Sequence, residues 1–241
     1  MSKQSDLVSV SQGASGDPLF IDTVNDRVGV GTSSPTATLT AVTGVSGNNE
    51  GEVRVSDNAS YYGSLSRVNA SDEVRLGSYG ASQNLTFYTV ASERMRIDAA
   101  GRVTMPYQPA FFARLSAQWG HPSGAVQLGG TWVADLNVGS NYNTTTRRFT
   151  APVAGNYQFN TTVGTIGGTT GVAYISSEIW VNGSRKYVGS WDSGGSSYNK
   201  SSASYVVALN ANDYVMIASE INISVILQDA THNTFSGYLI G

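Results

Sequence analysis

Apolar residues along this chain recur at every second position in short runs of about five, and Gly, Ser and Asn separate the runs. A period of two broken by turn residues describes short β-strands, and no stretch carries the 3.6-residue period of a helix. The strongest run spans 148–159 and reads RFTAPVAGNYQF. Phe149 and Thr150 form a strand that stops at Pro152, which has no N–H to give a ladder. The chain then turns through Ala154 and Gly155 and restarts with Tyr157 and Phe159 alternating. Gly155 is expected to supply a positive φ in that turn. From 110 onward the pattern predicts ten strands: 111–116, 125–128, 132–138, 147–151, 155–163, 172–181, 185–191, 202–209, 213–219 and 235–240. Asn182 and Gly183 signal a tight hairpin, and 210–213 a second turn.

The first half is thinner. Its strands are predicted at 37–42, 51–55, 63–68, 73–76 and 84–90. Two hairpins flank them with a shared phrase. Ile21 and Asp22 lead through a turn to Arg27 and Val28; Ile97 and Asp98 lead through Ala99, Ala100 and Gly101 to Arg102 and Val103. Asp and Arg flank each turn, so a cross-strand ion pair is expected, worth well under ~1 kcal/mol if exposed. Residues 18–106 hold too few bulky apolar side chains for a core of their own, so burial is expected from other copies of the chain. Tyr107, Gln108 and Pro109 form a stiff linker beside Pro106. The expected organisation is thus an N-terminal segment 1–17, a β-rich unit 18–106, a linker 107–109 and a head 110–241. Residues 1–17 are polar and suit either a tail or a segment that orders on a partner.

Composition narrows the chemistry. Among 241 residues, 13% are charged against the usual quarter, and the net charge is −3. No basic stripe is present, so nucleic acid is not an expected partner. The chain has no cysteine, which excludes disulfides, thiolate nucleophiles and cysteine-held metals. No run approaches the ~18 apolar residues of a membrane span, and residues 1–17 lack the apolar core of an export signal. Hydroxyl-rich β-structure without such a signal leads to the expectation of assembly inside a cell and exposure after lysis, which a virion protein fits; a cytoplasmic β protein is the alternative. His121 and His232 sit in no metal-ligand spacing, and His121 with Pro122 reads as a turn. No nucleophile elbow, phosphate loop or zinc-protease motif is present. Glu178 and Asp192 are the one imaginable glycosidase pair.

Two resemblances rest on these residues. LFIDTVNDRVGVGTSSPTATL, followed later by ERMRIDAAGRVTMP, resembles shaft modules of bacteriophage tail fibres, those of cyanobacterial phages in particular. The second unit lacks the GTSSP tail and runs straight to Pro106. That resemblance implies a trimeric β-hairpin shaft. The head resembles the C1q-like globular domain, a trimeric jelly roll related to the tumour-necrosis-factor fold. The residues that carry it are Phe111 to Leu115, then Leu136, Asn137, Tyr142, Phe149, Pro152, Gly155, Tyr157 and Phe159. Leu209, Asn212, Asp213 and Val215 follow, and Phe235, Ser236, Gly237, Tyr238 and Leu239 close the pattern. No collagen-like Gly-x-y stem precedes it.

The resemblances together imply an all-β homotrimer: a β-hairpin shaft and a C-terminal ten-stranded jelly-roll head. In such a head the first and last strands pair, and the loops 164–171, 190–201 and 220–233 lie at the far end. Function concentrates in loops on rigid scaffolds. The expected receptor-binding residues are Trp191, Asp192, Tyr198, Asn199 and Lys200 in the second loop and Asp229 and His232 in the third. Flat rings beside planar polar groups are what sugar recognition uses, although Trp191 also suits a plug at the rim of the core. Some C1q-like heads hold calcium near the trimer apex, and Asp192 and Asp229 are the carboxylates available for it. The apolar residues Ile221, Ile223, Val225, Ile226 and Leu227 are expected against the trimer interface or the distal core. The sequence thus points first to a virion fibre. Residues 1–17 would hold other virion proteins, and the tip would bind a host-surface glycan or protein. A capsid- or baseplate-attached decoration or connector fibre without a receptor is the alternative, and a surface-polysaccharide depolymerase is a third.

Overall fold

The computed structural model describes residues 19–22, 27–30, 39–41, 52–56, 62–68, 73–80, 82–166, 171–189, 198–227 and 232–241. The chain divides into two units, Met1–Thr104 and Met105–Gly241. All regular structure among the described residues is β, and no helix there is long and apolar enough to cross a membrane.

The first unit holds β1 (Leu19–Asp22), β2 (Arg27–Val30), β3 (Leu39–Ala41), β4 (Glu52–Ser56), β5 (Tyr62–Val68), β6 (Glu73–Tyr79), β7 (Leu85–Thr89), β8 (Ser92–Ile97) and β9 (Val103–Thr104). They form three separate sheets, β1-β2-β3, β4-β5-β6 and β7-β8-β9, with only β2 and β3 parallel. Both hairpins expected from the repeated phrase form, with Asp22 opposite Arg27 and Ile97 opposite Val103. In the second, Arg102 Nε donates to Asp98 Oδ2 at 2.7 Å. The other Asp98 oxygen accepts from the Ala100 and Arg102 amides, and Gly101 takes φ 82° to close the turn. These bonds and the Arg102 guanidinium hold the Asp98 carboxyl below its usual range. The side chains of Asp22 and Arg27 lie outside the described residues. In the second sheet Leu65 stands opposite Leu76, and both are more than half exposed.

The second unit holds β10 (Ala110–Leu115), β11 (Trp119–His121), β12 (Gly124–Gln127), β13 (Trp132–Val138), β14 (Tyr142–Asn143), β15 (Arg148–Thr150), β16 (Gly155–Gly164), β17 (Glu178–Val181), β18 (Ser184–Val188), β19 (Lys200–Leu209), β20 (Tyr214–Ile221), β21 (Val225–Leu227) and β22 (Thr234–Leu239). Two sheets run β13-β10-β22-β16-β19 and β14-β15-β20-β17-β18, which supplies the ten strands of a jelly roll. β12 adds to the edge of β20, and β11 with β21 forms a separate ribbon. The first and last strands pair as expected, Phe111 opposite Gly237.

Alternation fills the space between the sheets. Phe111, Ala113 and Leu115 point inward from β10, and Tyr157, Phe159, Thr161 and Val163 from β16. They meet Phe149, Val215, Ile217 and Ile179 of the other sheet. The rings interlock: Phe111 lies 4.9 Å from Tyr142, 5.0 Å from Phe149 and 4.8 Å from Phe235. Gly237 is required by this packing, since a Cβ there would come within 2.5 Å of the Phe159 ring.

Several expectations need correction. Gly155 adopts no positive φ; it is small because Leu239 and the Gly241 carbonyl crowd it, at 2.8 and 3.3 Å from where a Cβ would stand. The predicted strand 172–181 is regular only over Glu178–Val181, preceded by a single bridge between Ile175 and Ile221. His121 ends a strand where a turn was expected. The apolar run after 220 is partly a strand: Ile221, Val225 and Leu227 enter the core while Ile226 turns outward. The Asn182–Gly183 hairpin forms as expected, with φ 51° and 79°.

Candidate functional site at the distal end of the head

Antiparallel register decides which loops meet. Gly164 pairs with Lys200, and Thr162 with Thr234, so the ends of β16, β19 and β22 lie side by side. Residues 109 and 239–241 lie at the opposite end, where Leu239 N donates to Pro109 O at 3.0 Å and Gln108 Nε2 to Leu239 O. The bases of the loops 164–171, 190–201 and 220–233 therefore emerge together, as the topology expected from the sequence requires.

Buried amides stitch these bases. Asn233 is fully enclosed; its Oδ1 accepts from Gly164 N and its Nδ2 donates to Gly164 O, each at 3.0 Å. Its carbonyl accepts from Leu115 N. Thr165 N donates to Asn199 O, and Asn199 N returns to Thr165 Oγ1 at 3.2 Å. Ile166 N donates to Ile226 O at 3.1 Å. A Cβ on Gly164 would stand 3.3 Å from the His232 carbonyl oxygen, so the backbones approach closely. Replacing Asn233 by Ala strands both Gly164 backbone groups in a buried place, at a cost of about 2 kcal/mol. Urea unfolding of Asn233→Ala checks this, and a loss under about 0.5 kcal/mol would show that water reaches the seam.

Of the residues expected to bind, Tyr198 is exposed and its ring stacks with that of His232, centroids 6.3 Å apart at 15°. Lys200 is exposed at the start of β19. Asn199 is 2% exposed and so sits beneath the surface, where it positions the loop. Trp191, Asp192 and Asp229 lie outside the described residues. Among the described residues no group of three His, Asp or Glu side chains is placed to hold a metal.

The sequence did not disclose a groove beside these loops. It measures about 540 Å³ and is lined by Gly120, His121, Pro122, Ile166, Ser224 and Ile226. Its walls are the β11–β21 ribbon, with Trp119 opposite Leu227 and His121 opposite Val225. The continuous apolar run Val225, Ile226 and Leu227 carries no alternation that would mark Ile226 as outward-facing; only the burial of the strand shows it.

Glu178 does not line an open site. Its carboxylate has no exposure and accepts from Ser176 Oγ at 2.9 Å and from Trp180 Nε1 at 2.7 Å. Arg185 stands 3.0 Å away and also holds Glu220 at 2.7 Å. A substrate oxygen cannot reach an acid so enclosed.

The family model of the C1q domain matches residues 110–240. Among solved structures the chain is similar to the globular domain of zebrafish complement 1qA protein, at 17% identity over 56% of this chain and 98% of that one, with a TM-score of 0.43. It is also similar to murine APRIL crystallised at pH 5.0, at 15% identity over 55% of this chain and 98% of that one, with a TM-score of 0.42. No curated protein matches.

Proposed function

Since this chain belongs to the C1q-domain family through residues 110–240, we propose that it is a homotrimeric bacteriophage fibre protein whose tip binds a host-surface glycan or protein during adsorption. The observation that carries the binding role is the convergence of three loop bases and a groove at one end of the head, opposite residues 109 and 239–241. Tyr198 and His232 present a stacked pair of rings there, and Lys200, Trp191, Asp192 and Asp229 belong to the same loops. Asn199 holds the second loop at its base.

The trimer is supported by the outer face of the β13-β10-β22-β16-β19 sheet. Phe112 stands beside Leu136, and Gln158 lies between Tyr238 and Val206 in the neighbouring row. Those four apolar side chains are 37–56% exposed in the single chain. C1q domains often assemble as trimers, and burying this face against other copies removes it from water. Three tips in one particle make weak sites useful through avidity. The fibre role rests on the hairpin phrases of 18–106, and residues 1–17 are the proposed virion attachment. The enclosed Glu178 weighs against the depolymerase.

Sedimentation of the full chain is expected to give a trimer. The labelled protein is expected to bind host cells in competition with their surface polysaccharide. Trp191→Ala with Tyr198→Ala should weaken that binding at least tenfold and leave the trimer intact. A monomer would overturn the assembly. Binding only to virions lacking the protein would replace the receptor role by a connector or decoration role.

A further inference from the structure

His121 ends β11 at the groove and is 1% exposed. Its Nδ1 lies 2.5 Å from the Pro122 carbonyl oxygen, which fixes the proton of the neutral ring there, since a carbonyl only accepts. Nε2 then carries a lone pair sealed from solvent. It faces the Ser219 backbone without the geometry of a hydrogen bond. Trp119 packs edge-on at 5.4 Å, and Val225 of β21 stands opposite in the ribbon. Among the described residues the charged group that acts on the ring is Glu178 on β17, which is itself paired with Arg185 on β18, and Arg185 also holds Glu220 on β20.

A second proton has no solvated place to go in this closed arrangement. Glu178 and the two backbone groups attract it, but burial opposes it more strongly and pushes the imidazole below its ordinary value of 6.5. Once the ribbon opens, the ring meets water and titrates normally. Above about pH 6.5 both forms are neutral and the balance does not depend on pH. As pH falls through that value the open form gains a proton and the closed form does not. Closure therefore weakens progressively until the closed ring also titrates.

We propose that His121 is an acid-sensitive latch: its protonation opens the β11–β21 ribbon, dismantles the groove and frees Ile166 from Ile226. The latch stands independently of what the tip binds.

The test is hydrogen exchange of the full chain at pH 7.5 and 5.0, corrected for the intrinsic rate. Protection over 119–122 and 225–227 should fall about tenfold at pH 5.0 relative to β16. His121→Asn keeps a donor for the Pro122 carbonyl and removes the titration, so its protection ratio should not change with pH. His232→Asn, which removes the other histidine, should keep the full effect. Unchanged wild-type protection would overturn the latch, as would pH dependence that survives in His121→Asn. If His121→Asn does not fold, imidazole NMR of His232→Asn decides. A resonance that titrates near 6.5 while the ribbon stays protected overturns the latch; protonation that appears only with ribbon opening supports it.

Discussion

A fragment beginning at Met105 is expected to fold by itself with a cooperative melt, and residues 1–104 alone are expected not to. Every buried hydrophobic side chain among the described residues lies between Phe111 and Phe235. In the first unit no described aliphatic residue is buried: Val28, Leu85 and Ile97 are half-buried, Val74 is 73% exposed, and Leu65 and Leu76 are above half. Among the described residues its sheets are three-stranded and share no ladder with one another. A sheet of that size needs packing against another layer to be stable. The head has that second layer. A chain of about 140 residues buries roughly two-thirds of the surface it exposes when unfolded, and each enclosed Phe or Tyr stabilises it by about 1.5–3 kcal/mol. Near-ultraviolet circular dichroism of the two fragments checks this. A sharp melt with aromatic signal from 1–104 would mean that this unit finds its core without the head. A head fragment without a melt would mean that its sandwich needs the preceding unit.

The same contrast explains how far the fold was legible. In 148–159 the alternation of Tyr157 and Phe159 is the core itself, so the arch and its partner strands followed from pattern. The three-residue β11 was not legible, because Trp119 and His121 flank a glycine and two side chains set no period. Residues 172–177 looked like strand, yet Ser176 N bonds to the Glu220 carbonyl and Gly189 N to the Ser177 carbonyl outside a regular ladder. β6 runs past the expected end at 76 because Gly77 and Ser78 find partners in Ser64 and Gly63. At the tip, sequence distinguished poorly between polar residues that face water and those that hold a loop. Asn199 and Tyr198 are neighbours, yet one is enclosed and the other is 65% exposed. That difference arises from which backbone groups need a partner, which only the paired strand ends decide.

Arg185→Met is expected to destabilise the head by about 3 kcal/mol, or roughly 10 °C in its melting temperature. The Glu178 carboxylate stays enclosed in this variant with its Ser176 and Trp180 bonds but without a cation. Breaking a buried pair on one side costs about 3–5 kcal/mol, because the remaining charge is left uncompensated. The lower figure applies here because the Arg185 side chain is 38% exposed, so water can partly replace it. Adding Glu178→Gln should recover most of the loss. The amide oxygen can accept from Trp180 Nε1, and the amide nitrogen can donate to Ser176 Oγ, which already accepts from Glu220 N at 2.9 Å. The hydroxyl proton then turns to the Glu220 carbonyl, 3.4 Å away. Urea unfolding of the two single variants and the double variant closes the cycle. A coupling above about 1.5 kcal/mol identifies Glu178 as a charge the fold must neutralise. Additive effects would mean that Ser176 and Trp180 suffice, and that Arg185 serves the surface through Glu220.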